Sequence, residues 1–173
     1  LDFVSRLLEH EGIFYFIRDD EAATKVTFAD AQDAFPPVDG ETAIPFVEDA
    51  LRPAGVTHFD IESSIMPAKA TVGDYNFEIP DVDLTKDQGV QGGVVGDVFE
   101  YPAGFAKPDE GLDLAEIRLQ ELLAASRVGH GHSDRHTLAA GAWFELEDAG
   151  GLSGKYLITA VEHHFDRGAL DSD

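Results

Sequence analysis

The chain has 173 residues, 43% of them hydrophobic and 10% aromatic, enough to bury a real core within the size range of one domain. Thirty-four acidic residues against 12 basic ones leave a formal charge of −22, which repels phosphate backbones and anionic headgroups over a Debye length and disfavours nucleic acid and membrane surfaces as partners. With no cysteine, a disulfide framework, a thiolate nucleophile and a thiolate metal site are excluded. No apolar run approaches a membrane span and no basic segment precedes one, so a soluble chain without a Sec-type signal is expected. It opens on Leu1 rather than Met, as a piece of something longer would.

Leu1, Val4 and Leu8, with Phe3 and Leu7, follow the spacing of an amphipathic helix over residues 1–11, which Gly12 would stop. Ile13–Ile17 and Lys25–Ala29 are apolar runs separated by the charged turn Arg18–Glu21, the pattern of a hairpin, expected to pack on the helix. Ala31–Gly55, with four prolines and no sustained period, reads as a loop-rich surface connection. Thr57, Phe59, Ile61 and Ile65 have strand spacing, and Ala70–Phe77 is a second extended run. Pro80–Gly96 reads as too polar and glycine-rich for core, and mobile. Leu112–Val128 is the second predicted helix, with a stripe of Leu112, Ala115, Leu119 and Leu122 or Leu123 and a possible capping box from Asp113 to Glu116. After Gly129–His136, Ala142, Phe144 and Leu146 alternate with Trp143, Glu145 and Glu147, and a turn at Gly150 and Gly151 leads into Lys155–Phe165. Ser172 and Asp173 read as a frayed end. The sum is an α+β fold of six or so strands and two helices, with local strand order favouring antiparallel pairing. The expected organisation is one unit over 1–173: helix and hairpin 1–30, insertion 31–55, strands 56–105, helix 112–128 and strands 137–165.

The strongest chemical candidate is HGHSDRH, where His130, His132 and His136 fall at even spacing and could offer three nitrogens to zinc. It defines the alternative function, a metal-dependent hydrolase or metal-binding module. The segment is similar to the HxHxDH signature of metallo-β-lactamase-like hydrolases, but Arg135 intervenes before the last histidine and the segment follows a helix. His163 and His164 are adjacent and would point to opposite faces of a strand. Asp81, Asp83 and Asp87 resemble the start of a calcium loop, yet Lys86 and Gly92 occupy the positions needing Gly and Glu. The glycines at 89, 92, 93 and 96 match no phosphate loop, and Ser153 lacks a nucleophile elbow. No catalytic residue and no cofactor follow from these motifs.

Several ordered segments together resemble the hub portion of VgrG spike proteins of type VI secretion and the related late-control phage tail proteins. They are LDFVSRLLEHEGIFYF at 1–16, KATVGDYNFEIP at 69–80 with Asn76 for an acid, and FEYPAGF at 99–105 with an added Ala103. The helix residues Ala115, Arg118, Leu119 and Glu121 follow, then Ser133, Arg135, Leu138, Gly141, Phe144 and Leu146, and GKYLITAVEH at 154–163. The resemblance implies a barrel-like, mainly antiparallel tail-hub domain and a mechanical role joining the tube to the spike and helping deliver effectors. It further implies a homotrimer in the full-length protein, contacts with a tube-protein ring, a spike-tip protein and effectors, no catalysis, and assembly in the cytoplasm before ejection with the spike.

Overall fold

The computed structural model describes residues 2–19, 23–48, 54–90, 93, 94 and 96–164. The expectations placed on Leu1, Asp20, Glu21, Pro53, Gly92, Phe165, Ser172 and Asp173 lie outside these residues. Helix α1 (Asp2–His10) is followed by β1 (Phe14–Asp19), β2 (Thr24–Ala29), β3 (Ala43–Pro45), β4 (Val56–Ser63), β5 (Lys69–Val72), β6 (Lys86–Gly89) and β7 (Asp97–Glu100). Then come helix α2 (Pro108–Ala125), β8 (Arg127–Ser133), β9 (Trp143–Glu147) and β10 (Gly154–Leu157). The fold is α+β and mostly β, and the described residues form four small sheets ordered β1-β2, β10-β9-β3, β4-β8 and β6-β5-β7.

The chain divides into two compact units, one of Leu1–Phe14 and Asp60–His130, the other of Tyr15–Phe59 and Gly131–Asp173. The division falls within β1, between Phe14 and Tyr15.

In the first unit, α1 ends ahead of Gly12, whose φ of 69° supplies the left-handed turn that a side chain resists. Helix α2 lies on β5 and β6 and encloses a core of Val72, Leu84, Ala103, Phe105, Leu114 and Ala115. Three expectations are corrected here. The helix starts at Pro108, four residues before Leu112, because proline's missing N–H costs nothing at the first helical position. The first turn is capped by Glu110, whose carboxylate accepts the N–H groups of Ala106 at 3.0 Å and Lys107 at 3.1 Å, so Asp113 and Glu116 lie inside the helix. Ala115 and Leu119 of the expected stripe are buried, joined by Gly111 and Leu114, while Leu112 and Leu123 are exposed. Residues 80–96 also differ from expectation. Leu84 is in the core and Lys86–Gly89 forms an edge strand antiparallel to β5, since one apolar residue in a polar run suffices to anchor it.

In the second unit, the alternation of β9 turns Phe144 and Leu146 inward, and with Ala142 they pack on Val38, Ile44 and Val56. Gly141 has φ 79°, and a Cβ there would meet the Phe16 side chain at 2.6 Å, so only glycine fits. Residues 31–55 are more than a surface connection. Short apolar pieces between the prolines supply the buried Val38, Ile44 and Val47, and Ala43–Pro45 pairs with β9. That pairing is parallel, as is β5 with β7; β9 with β10 and β5 with β6 are antiparallel. The two parallel pairings stand beside the antiparallel ones that local strand order favours, because β3 and β7 reach their partners after long connections, which leave strand direction free.

Candidate functional site

The segments GDYNF and FEYPAGF are brought together in the first unit by the parallel pairing of β5 and β7, with Thr71 beside Phe99 and Val72 beside Glu100. Alternation along the strands gives the sheet two unlike faces. Ala70 and Val72 are buried, and Glu100 reaches α2, where its carboxylate accepts Arg118 Nε at 2.6 Å. The opposite face carries the Lys69–Asp97 ion pair at 3.4 Å and the aromatic ring of Phe99. Phe99 and Tyr101 lie nearly parallel, 5° apart in plane with centroids 6.5 Å apart. A Cβ built on Gly73 would meet the two rings at 3.4 and 3.3 Å, so both close over that glycine.

One carboxylate fixes this arrangement. Asp74 accepts the N–H groups of Tyr75 at 2.7 Å, Gly104 at 2.7 Å and Phe105 at 3.3 Å. These donors, Tyr75 and Gly104 foremost, hold the Asp74 carboxyl below the ordinary carboxylate range. Asn76 adds a bond from its amide to the Ala106 carbonyl at 3.2 Å. The loops so tied leave Tyr75 62%, Phe77 79%, Phe99 61% and Tyr101 59% exposed. Four large aromatics thus stand exposed on segments that a hydrogen-bond frame joins. Beneath them Thr71 is buried, and its hydroxyl finds no hydrogen-bond partner among the described residues.

Behind the sheet, Arg118 of α2 donates to Glu100, to Glu121 at 3.0 Å and towards His10 Nδ1 of α1 at 3.3 Å. The Glu100 bond is the main reason the guanidinium holds its proton more tightly than usual. Glu121 is shifted upward despite the same ion pair, because partial burial outweighs Arg118 and because Glu9 and Glu100 crowd it with like charge. One cation is thus shared among several carboxylates, which fits a structural clamp.

The HGHSDRH segment is divided between two roles. His130 and His132 lie on β8 and His136 in the turn after it, all exposed. His130 approaches Glu62 at 3.9 Å, and His132 packs its ring 5.5 Å from that of His58. Among the described residues no group of three or more His, Asp or Glu is placed to hold a metal ion, so the three histidines are not assembled into the expected constellation. The residues between them fasten the backbone. Asp134 accepts the Gly55 N–H at 2.8 Å, Ser133 donates to the Gly55 carbonyl at 2.8 Å, and Arg135 reaches the Ala54 carbonyl and Glu41. His163 bonds to the Leu138 carbonyl at 3.1 Å. The exposure of Phe77 and Phe99 was not legible beforehand, since an aromatic in an apolar strand ordinarily reads as core. Among the described residues no helix is long and apolar enough to cross a membrane.

The model of the phage tail baseplate hub (GPD) family matches residues 1–169. Three curated relatives come from Pseudomonas aeruginosa (strain PAO1). The type VI secretion system spike protein VgrG1c is 25% identical over 94% of this chain and 23% of its own length. The spike protein VgrG5 is 28% identical over 94% of this chain and 21% of its own, and VgrG1a 25% identical over 94% and 26%. The chain therefore spans only a fifth to a quarter of the length of these relatives. It belongs to the phage tail baseplate hub family.

Proposed function

We propose that the chain is a structural, non-catalytic hub segment of a contractile injection apparatus, which joins the tube to the spike and helps deliver effectors. The observation that carries this is the exposed aromatic set of Tyr75, Phe77, Phe99 and Tyr101, borne on the segments that Asp74 ties together, in a chain matched by the hub family over residues 1–169. Proteins that bind other proteins enrich aromatics at the centre of the contact and leave charge at its rim. In this reading the four small sheets are parts of a barrel-like hub domain. The full-length protein is a homotrimer that contacts a tube-protein ring, a spike-tip protein and effectors, assembles in the cytoplasm and leaves with the spike. The charge of −22 favours a basic surface on at least one partner.

The test is capture of the tube-ring protein on the immobilised chain, with Phe77→Asp/Phe99→Asp as comparison, at low and high salt. Capture by wild type, weakened at least about tenfold in the double variant, is expected. Absence of capture, or equal capture by the variant, would overturn the reading. A loss in salt alone would assign the contact to charge rather than to the aromatics.

A further inference from the structure

Strands β4 and β8 are hydrogen-bonded neighbours, and short contacts across them bring His58 and His132 side by side. The Thr57 hydroxyl bonds to the His132 carbonyl at 3.4 Å, and a Cβ built on Gly131 would meet the Phe59 ring at 2.8 Å. Directly opposed residues on paired strands hold their Cβ atoms about 4.5–5.5 Å apart, within reach of one another. Both histidines are exposed, and their ring centroids lie 5.5 Å apart with the planes at 46°.

This spacing is close to what one shared ion requires. Metal–nitrogen bonds of about 2.0–2.1 Å and a near-tetrahedral angle put two coordinating imidazole centroids about 5 Å apart. We propose that His58 and His132 form a two-histidine site for a borderline divalent transition-metal ion of the Cu²⁺, Ni²⁺ or Zn²⁺ class. Imidazole nitrogen suits these ions, and Cu²⁺ binds most tightly among them. No third His, Asp or Glu among the described residues completes a protein cage, so the remaining positions go to water and the site is exchangeable. The negative field of a chain at −22 raises the local concentration of cations and adds to the attraction. The ion would join two strands far apart in sequence. Because the pair exists only in the folded chain, binding stabilises it.

The ligand set differs from the one the HGHSDRH spacing suggests, because His132 is shared but His130 and His136 are replaced by His58. Titration of the 173-residue chain with Cu²⁺ and with Zn²⁺ distinguishes the two. The expected result is one equivalent bound, a melting temperature that rises with Zn²⁺, and binding weakened at least about tenfold by His58→Asn or His132→Asn, with His130→Asn and His136→Asn unchanged. Electron paramagnetic resonance of the Cu²⁺ adduct should show two coupled imidazole nitrogens, a readout on wild type that is independent of how the variants fold. Failure to bind an equivalent, binding that survives His58→Asn, dependence on His136, or coupling to one or three nitrogens would each overturn the assignment.

Discussion

Both units have an apolar core and polar clamps, but the clamps hold different things. The second is an ordinary apolar core, with Val38, Ile44, Val56, Ala142, Phe144 and Leu146 packed from strands and from the segment between the prolines. The first has its own apolar cluster under α2, but its loops are set by polar clamps, with Asp74 on three backbone donors and Arg118 on Glu100, Glu121 and His10. Apolar burial stabilises without direction, whereas hydrogen bonds specify geometry. A unit that must hold four aromatics outward against their tendency to bury needs the second kind of force. In the second unit the polar bonds of Ser133, Asp134 and Arg135 instead fasten the backbone at Ala54 and Gly55.

The comparison can be broken at its apolar end with the largest effect. Ile44 and Leu146 are 0% and 1% exposed, so Ile44→Ala or Leu146→Ala should cost about 2–5 kcal/mol in urea unfolding. A loss below about 1 kcal/mol for Ile44→Ala would mean that residues 31–55 do not belong to the core. Arg118→Met should cost less, about 1–2 kcal/mol, because the guanidinium is only partly enclosed and its carboxylate partners stay partly hydrated. The same variant should loosen α1 as seen by amide exchange, since His10 loses its partner.

Acid sharpens the contrast. Asp74, Asp83 and Glu110 each have the carboxyl held below its ordinary value by backbone N–H donors, chiefly those of Tyr75, Thr85 and Ala106 respectively. A lowered folded-state value gives stability that is complete above the unfolded value and is lost as pH falls through the folded one. Glu121, shifted upward, works in the opposite direction. Wild type should therefore exceed Asp74→Asn in stability at neutral pH, with the gap narrowing below about pH 4. A pH-independent gap would show that the Asp74 charge is not what ties the loops. The smallest change is Thr71→Val, which removes a buried hydroxyl that lacks a partner among the described residues. It should be neutral or stabilising by up to about 1 kcal/mol in thermal unfolding, where loss of a satisfied hydroxyl would destabilise.

Much of this division was legible in the residues themselves. The spacing of Phe3, Val4 and Leu7 marked α1 as amphipathic, and the alternation of Ala142, Phe144 and Leu146 marked β9, because the side-chain period is the direct consequence of backbone geometry. Pairings made across long connections were not legible, since the parallel partners of β5 and β9 depend on loop paths that no local pattern encodes. The start of α2 could have been read from Pro108 followed by Glu110, a first-turn signal that the later leucine stripe obscured. Of the proposed contact surface, the motifs at 69–80 and 99–105 are legible in the sequence. That Asp74 joins them needed the geometry, and so did the pairing of His132 with His58 across strands rather than with its near neighbours in sequence.

The most direct test of the central claim, that the aromatic loops of the first unit are the docking surface, is amide hydrogen exchange of the chain alone and with the tube-ring protein. The account predicts added protection at residues 73–77 and 99–105 on binding, with none at Trp143–Glu147, whose amides are already paired in the second unit. Protection confined to Trp143–Glu147, or no change at either aromatic segment in the bound state, would contradict it.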